Sequence, residues 1–320
     1  MKKKTDTTQP ATQSKTDAHA HDHAHNHNDH QSHSDFDKKT SELVGKNLEF
    51  DVVVSQEAIK KGYEQALSEI AEHAEIQGFR KGKAPRAVVE ERVGKTKIYE
   101  EALNHVMPHA YADAVQKNGL KPVVSPQFQP KSMEEGKDWV FTAITAEMPK
   151  IELGNYKDAI RSKRASDSIW TPGKGDPKDQ KQPSQDEKMR VMLGAVLESS
   201  KAIIPEIMIR EETNHAMSRL IEQLERVHIS LEDYLKSTGK TSEQLRQEYA
   251  INSLMTLQVE FILAEIARVE KINVEEKEID AIFASIPDEK VRQANNTPEQ
   301  RARILTSLRR QKTVEFLNTV

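Results

Sequence analysis

Three groups of residues carry side chains suited to chemistry: a histidine tract, a cationic loop and a histidine pair. The tract AHAHDHAHNHNDHQSH places His19, His21, His23, His25, His27, His30 and His33 on a polar chain, with Asp22 and Asp29 among them. Imidazoles at every second position can wrap Ni²⁺, Zn²⁺ or Cu²⁺, a low-specificity chelation rather than a preorganised site. A solubilising tail is the alternative. Binding of this kind needs neutral imidazole, so it should fail below about pH 6.5. His105 and His109 stand at i, i+4 on an expected helix. Pro108 lies between them and no acidic partner is expected nearby, which points to a surface or packing role.

The cationic loop is a different kind of site. From Gly78 to Lys97 the chain carries Arg80, Lys81, Lys83, Arg86, Arg92, Lys95 and Lys97 against only Glu90 and Glu91. Gly78 and Gly82 permit turns and close backbone approach. Arg80 can form a bidentate pair with phosphate or carboxylate, and Phe79 offers an apolar anchor beside the charges. The chemistry is adhesion, with a salt-sensitive affinity for an RNA–protein surface. On residue types alone, a solvated basic turn with a buried Phe79 competes with that reading.

Catalytic groupings are not found. The chain has no cysteine, which excludes disulfides, thiolate nucleophiles and Cys-based zinc sites. No glycine-rich phosphate loop follows a strand, and no serine has a nucleophile-elbow setting. Acidic residues mostly stand at helical spacing from Lys and Arg, the ordinary pattern of a solvated face. A net charge of −4 gives no bulk attraction for nucleic acid, so no DNA partner is expected. No apolar run approaches the ~20 residues of a bilayer span, and no apolar stretch follows the Met1–Lys4 start. A soluble cytoplasmic protein without a membrane partner is the expectation.

The elements that position the loop can be read from periodicity. Residues 1–40 have almost no apolar side chains and are expected to stay disordered. Phe50, Val52 and Val54 alternate with polar residues, a strand with one buried face. Ser55 should cap a helix carrying Ile59, Tyr63, Ala66, Leu67 and Ile70, ended by Gly78. Pro85 suits the first turn of a short helix that stops at Gly94. A longer helix is expected over 96–118, kinked at Pro108 and stopped by Gly119. Strands over 123–133 and 138–148 follow. The order β-α-α-α-β-β predicts an α+β domain over 41–150, helices on a small antiparallel sheet. Residues 151–186, rich in Pro, Gly, Ser and charge, are expected to be an extended connector. From Glu187 to Val320 everything reads helical. Ser230, Thr241 and Thr297 stand three residues before Asp233, Gln244 and Gln300, where N-terminal caps belong.

GFRKGKAP, between a helix and a short helix, resembles the ribosome-docking loop of the bacterial trigger factor family, with Gly78, Phe79, Arg80, Gly82 and Pro85 filling the family pattern. YEEALNHVMPHAYADAVQKNGLKPVVSPQFQP and DWVFTAITAEMPKIELGNYKD are similar to the rest of that domain. IIPEIMIREETNHAMSRLIEQLE, HISLEDYLKSTGKTSEQLRQEYA and LRRQKTVEFL resemble the family's helical chaperone domain. The resemblance implies an α+β ribosome-binding domain that docks through residues 78–83 and Pro85, followed by an elongated all-α chaperone domain. It implies an ATP-independent chaperone whose partners are the large ribosomal subunit (exit-tunnel protein and rRNA) and unfolded nascent polypeptides; a free chaperone that forms a homodimer and seldom visits ribosomes is a rival reading. Five of the nine methionines lie in the helical part (Met189, Met192, Met208, Met217 and Met255), where flexible side chains suit promiscuous binding. Family members normally insert a prolyl-isomerase domain of about 100 residues between these parts. Only residues 159–186 separate them here, so no catalytic residue and no required cofactor are expected. A prolyl isomerase and a metal-binding protein acting through the tract are the alternatives.

Overall fold

The computed structural model describes residues 42–168 and 184–320. The His19–His33 tract and the expectation of disorder over 1–40 lie outside the described residues, as do Trp170 and the middle of the connector.

The chain enters through β1 (Val44–Gly45) and β2 (Leu48–Val54). Ser55 turns it into α1 (Gln56–His73), its hydroxyl accepting from the Ala58 amide. Next come α2 (Arg86–Val93) and α3 (Lys95–Asn118), the latter running through Pro108 and closing on left-handed Gly119. The hairpin β3 (Gln127–Ser132) and β4 (Trp139–Thr145) completes a three-stranded antiparallel sheet of order β2-β4-β3. The register pairs Val52 with Phe141 and Phe50 with Ala143. Alternation therefore sends Val52, Val54, Trp139, Phe141 and Ala143 to one face, where they pack against Ile59 and Met107. Both hairpin strands are shorter than periodicity suggested. Before β3 the chain is held by isolated contacts instead, Val123 donating to the Ala146 carbonyl at 2.9 Å and the Thr145 hydroxyl to the Val124 carbonyl.

The segment read as an extended connector is ordered over its first part. After β5 (Ile151–Glu152) comes α4 (Tyr156–Ser168). Tyr156 and Ile160, one turn apart, are buried in the main core. The Tyr156 hydroxyl donates to Glu270 at 2.6 Å and Lys157 pairs with the same carboxylate at 2.7 Å. Arg164 donates to the carbonyls of Leu317 and Asn318, where a cation complements a helix C-terminus.

The C-terminal part is helical apart from two short strands: α5 (Gln185–Ser199), β6 (Lys201–Ala202), β7 (Ile204–Pro205), α6 (Glu206–Arg226), α7 (Leu231–Thr238) and α8 (Ser242–Val269). It ends with α9 (Glu276–Ala284), α10 (Glu289–Asn295) and α11 (Pro298–Thr319). The three expected caps form: Ser230, Thr241 and Thr297 each accept from the backbone amide three residues on. The strands Lys201–Ala202 and Ile204–Pro205 differ from the all-helical expectation. They exist because β5 and β1, far away in sequence, supply their partners. The core around Ile160, Val196, Ile204, Ile207, Ile262, Ile266 and Leu317 also takes in Ile144 and Ala146 from the end of β4. Thus the α+β part and the helical part share one apolar cluster. α8 is long and apolar enough to cross a bilayer by length and composition, but Leu254, Ile262, Leu263 and Ile266 spend that character in the core.

Candidate functional site

The loop between α1 and α2 is anchored at its ends and free at its tip. A satellite core of Ala66, Leu67, Val89, Ile98 and Ala102 receives Ala74, Ile76 and Ala84 from the loop. Between those anchors, Phe79, Arg80, Lys81 and Lys83 are exposed. Phe79 keeps 43% of its surface in solvent. Two short backbone bonds shape the tip, Phe79 to the Ile76 carbonyl at 3.0 Å and Lys83 to the Arg80 carbonyl at 2.9 Å. Both tip glycines need positive φ, 92° at Gly78 and 71° at Gly82. At Gly82 there is also no room: a Cβ would lie 2.8 Å from the Glu72 carbonyl oxygen. Pro85 stands just before α2 as its N-cap, where its carbonyl accepts from Val88 and Val89.

The electrostatics favour an outside partner. Lys81 meets Glu75 at 3.5 Å, and both side chains are largely solvated. Arg86 reaches Glu64 at 3.7 Å and donates to the Ser68 hydroxyl at 3.3 Å. Among the described residues, no carboxylate pairs with Arg80, Lys83, Arg92, Lys95 or Lys97. Exposed ion pairs contribute little stability, so these cations are a surface property rather than a folding device. Beneath the loop, Tyr63 donates to Glu90 at 2.8 Å. Burial first, and that bond second, push its phenol above the usual range. The bond ties α1 to α2 and fixes the spacing of the loop's two ends.

The sequence reading did not include Glu75 and Glu64 as counter-ions of the loop. Glu75 stands six residues before Lys81, a spacing that no regular element brings together, so no local signal marked it. The expectation that His105 has no acidic partner is overturned. Its Nε2 lies 3.0 Å from Glu69 of α1, and Glu101 is on its own helix one turn earlier. The methionines divide. Met192 and Met208 are buried, while Met255 and Met189 are exposed. In the same helical part Ile221, Val227, Ile229 and Val269 also face solvent, Val227 with 61% of its surface. Such dispersed apolar groups on a helical scaffold can meet many apolar segments weakly.

Comparison with known proteins now bears on this arrangement. The family model "Bacterial trigger factor protein (TF)" matches residues 37–169, and its C-terminal counterpart matches residues 177–318. The trigger factor of Streptococcus sanguinis (strain SK36) is 41% identical over 105 residues, which are 33% of this chain and 25% of that protein. That of Enterococcus faecalis (strain ATCC 700802 / V583) is 40% identical over 111 residues, 35% of this chain and 26% of that one. These matches span only about a quarter of the relatives' length. A solved trigger factor chaperone, described for promiscuous substrate recognition in folding and assembly, shares the fold with TM-score 0.54 and 14% identity over 85% of this chain and 96% of that one. With both of its halves matched, residues 37–169 and 177–318, the chain belongs to the trigger factor family.

Proposed function

We propose that this protein is an ATP-independent cytoplasmic chaperone that docks beside the ribosomal exit tunnel through Phe79, Arg80, Lys81 and Lys83 and shields unfolded nascent polypeptides. The observation that carries the reading is the loop itself. Its ends are locked into a satellite core while its apolar tip and unpaired cations face solvent. A phenylalanine left exposed between charges has no folding purpose and is suited to a pocket on a partner. Arg80 and Lys83 would neutralise phosphate or acidic side chains there. The exposed apolar groups of α6 and α8, among them Ile221 and Met255, would hold the emerging chain by many weak contacts.

Isomerase chemistry is not part of the proposal. The two family matches leave only residues 170–176 between them, too few for a domain of about 100 residues. The His19–His33 tract would add a low-specificity chelating tail for Ni²⁺, Zn²⁺ or Cu²⁺. A proline-limited refolding assay should show no acceleration at substoichiometric protein.

Co-sedimentation with ribosomes tests docking. Arg80→Glu with Lys83→Glu should abolish pelleting at physiological salt while thermal stability moves by less than about 0.5 kcal/mol. Equal pelleting of the double variant and the natural chain would remove the docking role.

A further inference from the structure

We propose a divalent transition-metal site between α1 and α3, formed by Glu69, Glu101 and His105. The two helices approach closely because Gly62 is buried at their crossing, where a Cβ would meet Val106 at 2.6 Å. That proximity brings one ligand atom from each of the three side chains to within 4.8 Å of the others. His105 Nε2 and a Glu69 carboxylate oxygen are 3.0 Å apart. Nε2 is nonetheless buried without a hydrogen bond of acceptable alignment. Nε2 is thus a buried ring nitrogen beside a carboxylate oxygen with no hydrogen bond formed between them. The edge between two ligands of a tetrahedral Zn²⁺ is of similar length, roughly 3.3 Å from bonds of 2.0–2.1 Å.

The surroundings resemble an outer ligand shell. Gln65 donates to the other oxygen of Glu69 at 3.0 Å, and Asn104 donates to Glu101 at 3.3 Å. Each carboxylate is thus oriented by an amide on its own helix, as outer-shell partners orient ligands. His105 also lines a cleft of about 550 Å³ shared with Lys61, Gln65 and His109. One imidazole and two carboxylates suit Zn²⁺, Fe²⁺ or Co²⁺ better than copper(I) or calcium. An ion here would staple α1, the helix that leads into the exposed loop, to α3.

The test uses the full chain with its seven tract histidines replaced by asparagine, so that only folded-domain sites compete, and Zn²⁺ as probe. Calorimetric titration should give one equivalent, and Zn²⁺ should raise the thermal midpoint. His105→Asn in that background should weaken binding by more than the 10–100-fold typical of outer-shell losses. Glu101→Gln provides the second arm, because it leaves the His105–Glu69 contact in place. A mere ion pair would be indifferent to it, whereas a three-ligand site loses its zinc affinity and its thermal shift. Absence of a one-equivalent site in the seven-asparagine chain, or Zn²⁺ binding unchanged by Glu101→Gln, would overturn the assignment.

Discussion

Residues 77–83 and residues 156–168 are both short, polar and strongly charged, yet they end up in opposite environments. The first is a loop whose tip is solvated. The second is a helix, α4, with two side chains in the main core. Charge density does not separate them. What does is the spacing of apolar groups. Tyr156 and Ile160 are four apart, so a helix presents both on one face while Asp158 and Arg161 stay exposed. In the loop Phe79 stands alone between two glycines that require positive φ, so no helix can form and no second apolar side chain supports it. A single anchor among cations stays outside, whereas two anchors on one helical face go inside.

If this distinction is right, the largest stability loss in either region should come from α4. Ile160 is fully buried, and Ile160→Ala should cost about 2–5 kcal/mol in denaturant unfolding. A loss under about 1 kcal/mol would mean that α4 only rests against the core. Next in size is the loop's own backbone. Gly82→Ala meets both an unfavourable φ and the Glu72 carbonyl, so about 1–3 kcal/mol is expected, with ribosome binding reduced as the tip shifts. Thermal unfolding and pelleting measure the two effects separately.

The polar contact of α4 is expected to contribute less than Ile160, about 1 kcal/mol, and it carries a pH signature. Hydrogen bonds from Lys157 and then Tyr156 hold the Glu270 carboxyl below the usual carboxylate range. A lowered folded-state pKa means that the unfolded chain binds the proton more readily, so stability rises with pH. The stabilisation is complete above the unfolded value near 4.3 and disappears as pH falls through the lower folded value. Glu270→Gln should therefore lower stability at pH 7 and flatten the acid limb of a stability–pH curve. An unchanged slope below pH 5 would show that the cluster does not couple to folding.

Much of the fold was legible because its signals are local. Ser55, Ser230, Thr241 and Thr297 cap the helices where their spacing to the next polar residue suggested, and the alternation of β2 gave its buried face. The loop between α1 and α2 was legible for the same reason, since glycine, proline and charge punctuate within eight residues. What escaped is long-range. α6 begins at Glu206 behind an N-cap, Pro205, that has no side-chain hydrogen bond to offer. Asn47 supplies it instead, accepting from Ile207 at 2.7 Å and donating to Glu206 at 2.9 Å. β6 and β7 are two-residue strands that exist only through distant partners, and Glu69 reaches His105 only because Gly62 lets two helices close. Composition hid α4, because its polar face outnumbers its apolar one.

The smallest expected effect on stability is also the sharpest check on the comparison. Phe79 is exposed between an exposed Gly78 and an exposed Arg80 in the chain, and among the described residues it belongs to none of the buried clusters. Truncation of such a side chain leaves no cavity, so Phe79→Ala should change the unfolding free energy by less than about 0.5 kcal/mol. The same change should weaken ribosome pelleting by at least tenfold, since truncating an interface anchor typically costs about 2 kcal/mol or more. A loss of 2 kcal/mol in folding would place Phe79 among core residues, and the contrast with Ile160 would collapse. Unchanged stability with unchanged pelleting would remove Phe79 from the docking contact, and docking would then have to rest on Arg80 and Lys83 alone.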